Sequence, residues 1–349
     1  MNQQQAEQAK RNKLQDEKPY VLSKLKKIND RHAQNIATPM IDIAYNFRCN
    51  FKCAHCATSR MIKKDRKIDP GILLDLSNQA EALGLCQFVI SGGEPLLYPD
   101  LEEIFKALQP SKFHIAMSTN GWFMTEEKAI WLKKLGLDKV KISIDDFDEK
   151  IHDENRGVEG AYKRALKAME FCKKAGMGVA IQAVVTHQNC KTDRTIKLAE
   201  FAQNMGYDLD IIVARAIGRW EGRHEVLIDQ EDADFLWEVH QKYPALHRDT
   251  FPTYGMHRGC GCVDSILHVT PYGDVLPCVF IHIAIGNIFE ESLKDIIHRG
   301  QHLKPFACFS KLCLSGEDRD FINQYMTKFY GKPIPIPWQE AFTEADIIL

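Results

Sequence analysis

Cys49, Cys53 and Cys56 lie in the run Tyr45-Asn46-Phe47-Arg48-Cys49-Asn50-Phe51-Lys52-Cys53-Ala54-His55-Cys56, a C-x3-C-x2-C spacing just after an apolar, strand-like segment. Three thiolates on one short loop can hold three irons of a [4Fe–4S] cube, and no fourth cysteine follows at comparable spacing. The fourth iron keeps an open position, which is where a cluster stops being an electron carrier and begins to do chemistry. Zinc is the alternative for three close cysteines, with His55 as fourth ligand. His55 sits directly before Cys56, where ring and thiolate have trouble reaching the same ion.

A second cysteine group follows later. Cys260 and Cys262 precede an alternating segment broken by Pro271-Tyr272-Gly273-Asp274, a hairpin signal that returns the chain to Cys278. Cys308 and Cys313 come next. Four thiolates suit a fully ligated cube, and five cysteines compete for the four places. Structural zinc is again the alternative. Cys262, as a spare thiol, and His187 are the candidates for a catalytic group. Cys86, Cys172 and Cys190 read as packing residues.

The elements that must position these residues alternate in type. Strand patterns occur at 41–47, 87–91, 113–118, 139–144, 178–185 and 209–214, with amphipathic segments at 69–83, 100–108, 125–135, 161–175, 192–205 and 230–243 between or after them. Asp69-Pro70 offers an N-cap followed by proline at the first helical position, and Gly84, Gly136, Gly176 and Gly206 stop their helices. Six strand–helix units in succession imply a parallel sheet with right-handed crossovers. A partial (β/α)6 barrel closes such a sheet naturally, while a flat doubly wound sheet gives the same pattern. The expected division is a charged helical extension over 1–38, the core over 39–250, a cysteine-rich hairpin and helix unit over 251–318 and a tail over 319–349. The extension packs on the core or on a second subunit, or is a disordered tail.

Motifs fall at strand ends, where ligands gather in parallel α/β architecture. Ser91-Gly92-Gly93-Glu94-Pro95 ends the second strand, Ser118-Thr119-Asn120-Gly121 the third and Ser143-Ile144-Asp145 the fourth. His152-Asp153-Glu154-Asn155-Arg156-Gly157 follows. Together with the cysteine loop these resemble the radical S-adenosylmethionine (SAM) superfamily. The resemblance implies the partial TIM-like barrel, SAM chelated to the free iron, and reductive cleavage to a 5′-deoxyadenosyl radical that removes a substrate hydrogen atom. It places Gly92, Gly93, Glu94 and Pro95 at the SAM amino group, and Ser118 and Asn120 near its ribose and carboxylate. His55 would lie by the adenine, Ser143 and Asp145 at SAM or substrate, and Arg156 at the SAM carboxylate. The later cysteines resemble a SPASM-type domain in its shortened twitch form, which implies one auxiliary [4Fe–4S] cluster held by four of Cys260, Cys262, Cys278, Cys308 and Cys313. A low-potential donor such as flavodoxin or ferredoxin is the implied electron source.

The expected reaction is a two-electron oxidation, a dehydrogenation or crosslinking, of a small metabolite or peptide. Redox-neutral epimerisation with a cysteine hydrogen donor is the alternative, and a non-catalytic iron–sulfur carrier or scaffold is the rival from another class. Arg215, Arg219 and Arg223 form a basic segment that reads first as a solvated loop and otherwise as a site for an anionic substrate such as a phosphate or nucleotide. With 349 residues, 45% hydrophobic, 26% charged and a net charge of −2, the chain has no general electrostatic footprint for DNA. No apolar run reaches the length of a membrane span. Eleven clustered cysteines in a chain opening Met1-Asn2-Gln3-Gln4-Gln5 point to a reducing, cytoplasmic setting.

Overall fold

The computed structural model describes residues 3–248, 250–251, 259–307 and 309–348, with side chains from residue 8 onward; Cys308 lies outside the described residues. Three helices open the chain, α1 (Gln3–Glu17), α2 (Pro19–Leu25) and α3 (Ile28–Ala33). Strand–helix units follow: β1 (Met40–Ala44), α4 (Pro70–Ala82), β2 (Gln87–Ser91), α5 (Leu101–Ala107), β3 (His114–Thr119), α6 (Glu126–Lys134) and β4 (Lys139–Ser143). Then come α7 (Glu149–Arg156), α8 (Ala161–Lys174), β5 (Gly178–Val185), α9 (His187–Cys190), α10 (Asp193–Met205), β6 (Asp208–Val213), α11 (Gln230–Lys242) and β7 (Leu246–Arg248).

β1 to β7 pair in order, all parallel. The six expected strands stand within three residues of their sequence bounds, and β7 is an addition that three residues of weak pattern did not reveal. The Asp69 side chain accepts from the Ile72 amide and starts α4 as an N-cap. One face of the sheet is a continuous apolar layer that includes Ile41, Ile43, Phe88, Ile90, Ile115, Met117, Val140, Ile142, Ile181 and Leu209, all buried. Period two puts Asp42, Lys139, Lys141, Asp208 and Asp210 on the other face. There Lys139 pairs with Asp208 at 2.9 Å and Lys141 with Asp210 at 3.0 Å.

The sheet stays open, with β7 at one edge. At the other, β8 (Ile266–Val269) joins β1 in parallel register, His268 opposite Asp42, and β9 (Asp274–Leu276) folds back antiparallel as the expected hairpin. β10 (Ile283–Ala284), β11 (Gly286–Asn287), α12 (Leu293–Gln301) and α13 (Arg319–Gln324) complete the cysteine-rich part. The hairpin therefore extends the barrel sheet rather than hanging from it. The last residues pack too: β12 (Ile336–Pro337) pairs with β10, and Phe342 stacks with Phe306 and Tyr325.

The extension packs on the barrel. Lys10 reaches Asp208 at 2.5 Å. Lys18 donates to the Phe113 and Gly136 carbonyls at 3.1 and 3.0 Å and pairs with Asp138 at 2.5 Å. Lys24 pairs with Glu81 at 2.7 Å. Phe113, Asp138 and Asp208 stand at the starts of β3, β4 and β6, so the helices close the end of the barrel opposite the motif-bearing loops. No helix among the described residues is long and apolar enough to cross a membrane.

Candidate iron–sulfur and SAM centre

The cysteine loop leaves β1 and is held from three sides by backbone. Gly93 N–H donates to the Asn46 carbonyl at 2.8 Å, and Glu94 N–H to the Arg48 carbonyl at 2.9 Å. A Cβ at Gly93 would overlap the Arg48 carbonyl, so glycine is required by the closeness of the two loops. The Ala54 amide donates to Asn155 O at 2.8 Å at the end of α7. The Arg219 amide donates to Cys56 O at 3.2 Å, and a Cβ at Gly218 would overlap that same carbonyl.

Sequence reasoning assigned the paired glycines to close approach by a ligand. In the structure the cysteine loop also approaches them closely. Glu94 follows suit: it is fully buried, and its carboxylate accepts from Thr119 Oγ1 at 2.6 Å, the Asn120 amide at 2.8 Å and the Leu96 amide at 3.0 Å. Two of these bonds tie β2 to β3. Pro95 opens the short turn that follows. Asn120 Nδ2 donates to Asn50 Oδ1 at 3.0 Å, which anchors the cysteine loop to the end of β3. Ser118 and Ser143, at the ends of β3 and β4, are half-buried on the polar face.

Beside the loop lies a buried charge cluster. Arg156 Nη2 stands 2.8 Å from Asp145 Oδ1, and its Nη1 lies 3.9 Å from Cys53 Sγ. His55 Nε2 is 4.0 Å from Asp145 Oδ2, and its ring lies 5.7 Å from that of Trp220. The Asp145 amide donates to His152 Nδ1 at 3.2 Å. Burial works against ionisation of Asp145, but the Arg156 guanidinium brings its carboxyl down to about 2. Burial lowers His55 to about 4 and His152 to about 4, so both rings are neutral at pH 7. Burial pushes the Cys53 thiol up while Arg156 opposes it, so iron must displace a proton there. Asp145 Oδ2 and Arg156 Nε are buried without a hydrogen-bond partner. Three thiols on one loop beside unspent polar atoms of both signs fit a cluster and a zwitterionic ligand such as SAM.

The second group converges as well. Cys260 Sγ lies 3.3 Å from Cys262 Sγ, Cys260 also meets Cys313, and Cys262 meets Cys278. All four are buried. Among the described residues Cys262 thus stands between Cys260 and Cys278 in a row of four thiols. A row of four buried thiols fits a closed cluster.

Two further candidates can be placed. His187 lies just past the end of β5 and is exposed, and its Nδ1 lies 2.7 Å from Asp232 Oδ2 at the start of α11. The three arginines of the basic segment do not share one role. Arg215 is buried and donates to Cys313 Sγ, Arg219 is exposed, and Arg223 pairs with Glu225 at 2.8 Å. Arg215 was legible as a residue just past a strand's carboxyl end, and its charge misdirected the reading toward solvent. Arg194, which donates to the Asp145 and Val184 carbonyls, had no motif to reveal it. Cys86, Cys172 and Cys190 are buried, as packing residues would be.

Comparison with known proteins agrees with this geometry. The family model described as the radical SAM superfamily matches residues 43–199, and the one described as an iron–sulfur cluster-binding domain, SPASM, matches residues 260–316. An AdoMet-dependent heme synthase of Oleidesulfovibrio alaskensis is 25% identical over 74% of this chain and 74% of its own. A PqqA peptide cyclase of Methylocella silvestris is 27% identical over 71% of each chain. Among solved structures, SuiB of Streptococcus suis bound to its precursor peptide SuiA superposes with a TM-score of 0.59 at 19% identity, covering 79% of this chain and 69% of that one. The cofactors this implies are a [4Fe–4S] cluster with SAM and auxiliary iron–sulfur ligation. The chain belongs to the radical SAM superfamily and carries a SPASM-type iron–sulfur domain.

Proposed function

We propose that this enzyme carries out a SAM-consuming two-electron oxidation of a peptide or small polar metabolite. The observation that carries the reading is the stretch from Arg215 to Arg219, which touches both cysteine groups: Arg215 donates to Cys313 Sγ at 3.2 Å, and the Arg219 amide to Cys56 O at 3.2 Å. Five residues of backbone thus touch both cysteine groups.

Bound at Cys49, Cys53 and Cys56, the cluster with SAM supplies the means to remove one substrate hydrogen atom. The residues of the chain do the rest. The unspent faces of Arg156 and Asp145 meet the SAM carboxylate and amino groups, while neutral His55 and Trp220 offer ring surface to the adenine. Four of Cys260, Cys262, Cys278, Cys308 and Cys313 would hold an auxiliary cluster, which would supply the acceptor for the second electron once the substrate has also lost a proton and formed its new π bond or crosslink. The polar barrel face, with Lys141 and Asp210 partly open, suits a substrate that can hydrogen-bond rather than an aliphatic one. Support for a peptide comes from relatives whose names specify one, and a flavodoxin or ferredoxin supplies the first electron.

Anaerobic reconstitution with iron and sulfide, then dithionite and SAM, tests the first half: 5′-deoxyadenosine is expected. Candidate peptides and metabolites test the second, the expected product having lost two hydrogen atoms per SAM consumed. A Cys278→Ala variant that still cleaves SAM should form no such product. Full product formation by that variant would overturn the oxidation reading.

A further inference from the structure

We infer that Arg215 sets the reduction potential of the auxiliary cluster, holding it higher than four thiolates alone would. The inference takes its purpose from the oxidation proposed above, but the potential can be measured without it.

Arg215 lies two residues past the end of β6 and is 5% exposed. Its Nη1 donates to the Val213 carbonyl, its Nε to Ser315 Oγ at 3.3 Å and its Nη2 to Cys313 Sγ at 3.2 Å. The Phe280 ring covers the guanidinium at 4.0 Å. Ser315 Oγ is itself 3.6 Å from Cys313 Sγ. The cation is therefore fixed at both ends, shielded from water on one face, and aimed at a ligating sulfur.

A cluster that takes an electron gains one negative charge. A guanidinium at fixed contact distance stabilises the reduced form more than the oxidised one, and an N–H donated to a ligating sulfur works in the same direction. Burial strengthens both effects by excluding water and salt. Arg215 acts through Cys313 as a positioning residue and makes the auxiliary cluster the better acceptor of the substrate's electron. The mouth of β6 thus carries a contact that answers to redox state.

The test uses full-length protein bearing Cys49→Ala, Cys53→Ala and Cys56→Ala, so that one cluster remains. Iron is counted and the midpoint potential read by anaerobic redox titration with electron paramagnetic resonance. Arg215→Met should keep its iron and shift the midpoint to lower potential. Arg215→Lys, a cation without the fork, should fall between that variant and the parent. Unchanged midpoints in both variants would overturn the inference. So would loss of iron from Arg215→Met together with a parental midpoint in Arg215→Lys, because the side chain would then be structural only. A shifted midpoint without any oxidised product would leave the inference standing and count against the proposed reaction alone.

Discussion

Arg156 and Asp145 form a buried ion pair, 2.8 Å apart, on the flank of Cys53, and the second amino group of the arginine faces that thiol. Neither partner tolerates being left alone. Arg156→Ala strands a buried carboxylate and should cost about 3–5 kcal/mol at neutral pH. Denaturant unfolding of the iron-free chain measures this loss, and equilibrium dialysis of the reconstituted protein should show SAM binding lost with it.

The same pair predicts a pH dependence. Asp145 titrates at about 2 in the fold and near 3.9 when unfolded. A depressed carboxylate contributes stability that is full above the unfolded value and is lost as pH falls toward the folded one. The parent should therefore hold this contribution above about pH 4 and lose it between about pH 4 and 2, and its gap to Arg156→Ala, whose stranded buried carboxyl takes up a proton more readily, should be small by pH 2. Circular dichroism across an acid titration of the iron-free proteins reads the gap. A gap that stayed wide at pH 2 would mean that Asp145 is not the group left stranded.

Glu94 and Gly93 make a prediction about loop support. Glu94→Gln turns an amide toward donors that now point at a carboxylate, and should destabilise the fold by about 1–3 kcal/mol. Gly93→Ala has no room for its Cβ against the Arg48 carbonyl. It should lose the iron held by the first loop and keep the auxiliary iron. Iron analysis of the purified variant checks this, and full iron content would show that the loop can move.

Lys18 tests the extension. It and Asp138 are 10% and 8% exposed. Lys18→Met removes the cation beside Asp138, whose carboxylate keeps its bond from the Ile115 amide at 2.8 Å, and should cost about 1–3 kcal/mol while leaving iron content and SAM cleavage of the folded protein unchanged. Thermal unfolding and deoxyadenosine assays separate the two effects, and a loss of cleavage in folded protein would place the extension closer to the site than its contacts do.

Most of the fold was legible because its signals are local. Strand alternation, Asp69 as N-cap and the helix-stopping glycines act over a few residues, so six strands and six helices stood near their final bounds. Both cysteine groups were legible for the same reason, since Cys49, Cys53 and Cys56 share one short loop and the hairpin returns Cys278 toward Cys262. What the sequence could not show lies between distant elements. The seating of Gly93 against the Arg48 carbonyl is one such contact. Arg215 reads as solvated until Cys313, 98 residues away, closes on it. The docking of α1 through Lys10 and Lys18 depends on strand starts scattered along the chain.

The account rests on two separate cysteine sites, Cys49, Cys53 and Cys56 in one and four of Cys260, Cys262, Cys278, Cys308 and Cys313 in the other. Iron content of the anaerobically reconstituted parent and of its Cys49→Ala/Cys53→Ala/Cys56→Ala variant tests that most directly. The parent should hold about eight irons per chain and the variant about four, from the stoichiometry of the cubes. Zinc in place of iron, or a variant that matches its parent, would contradict the account.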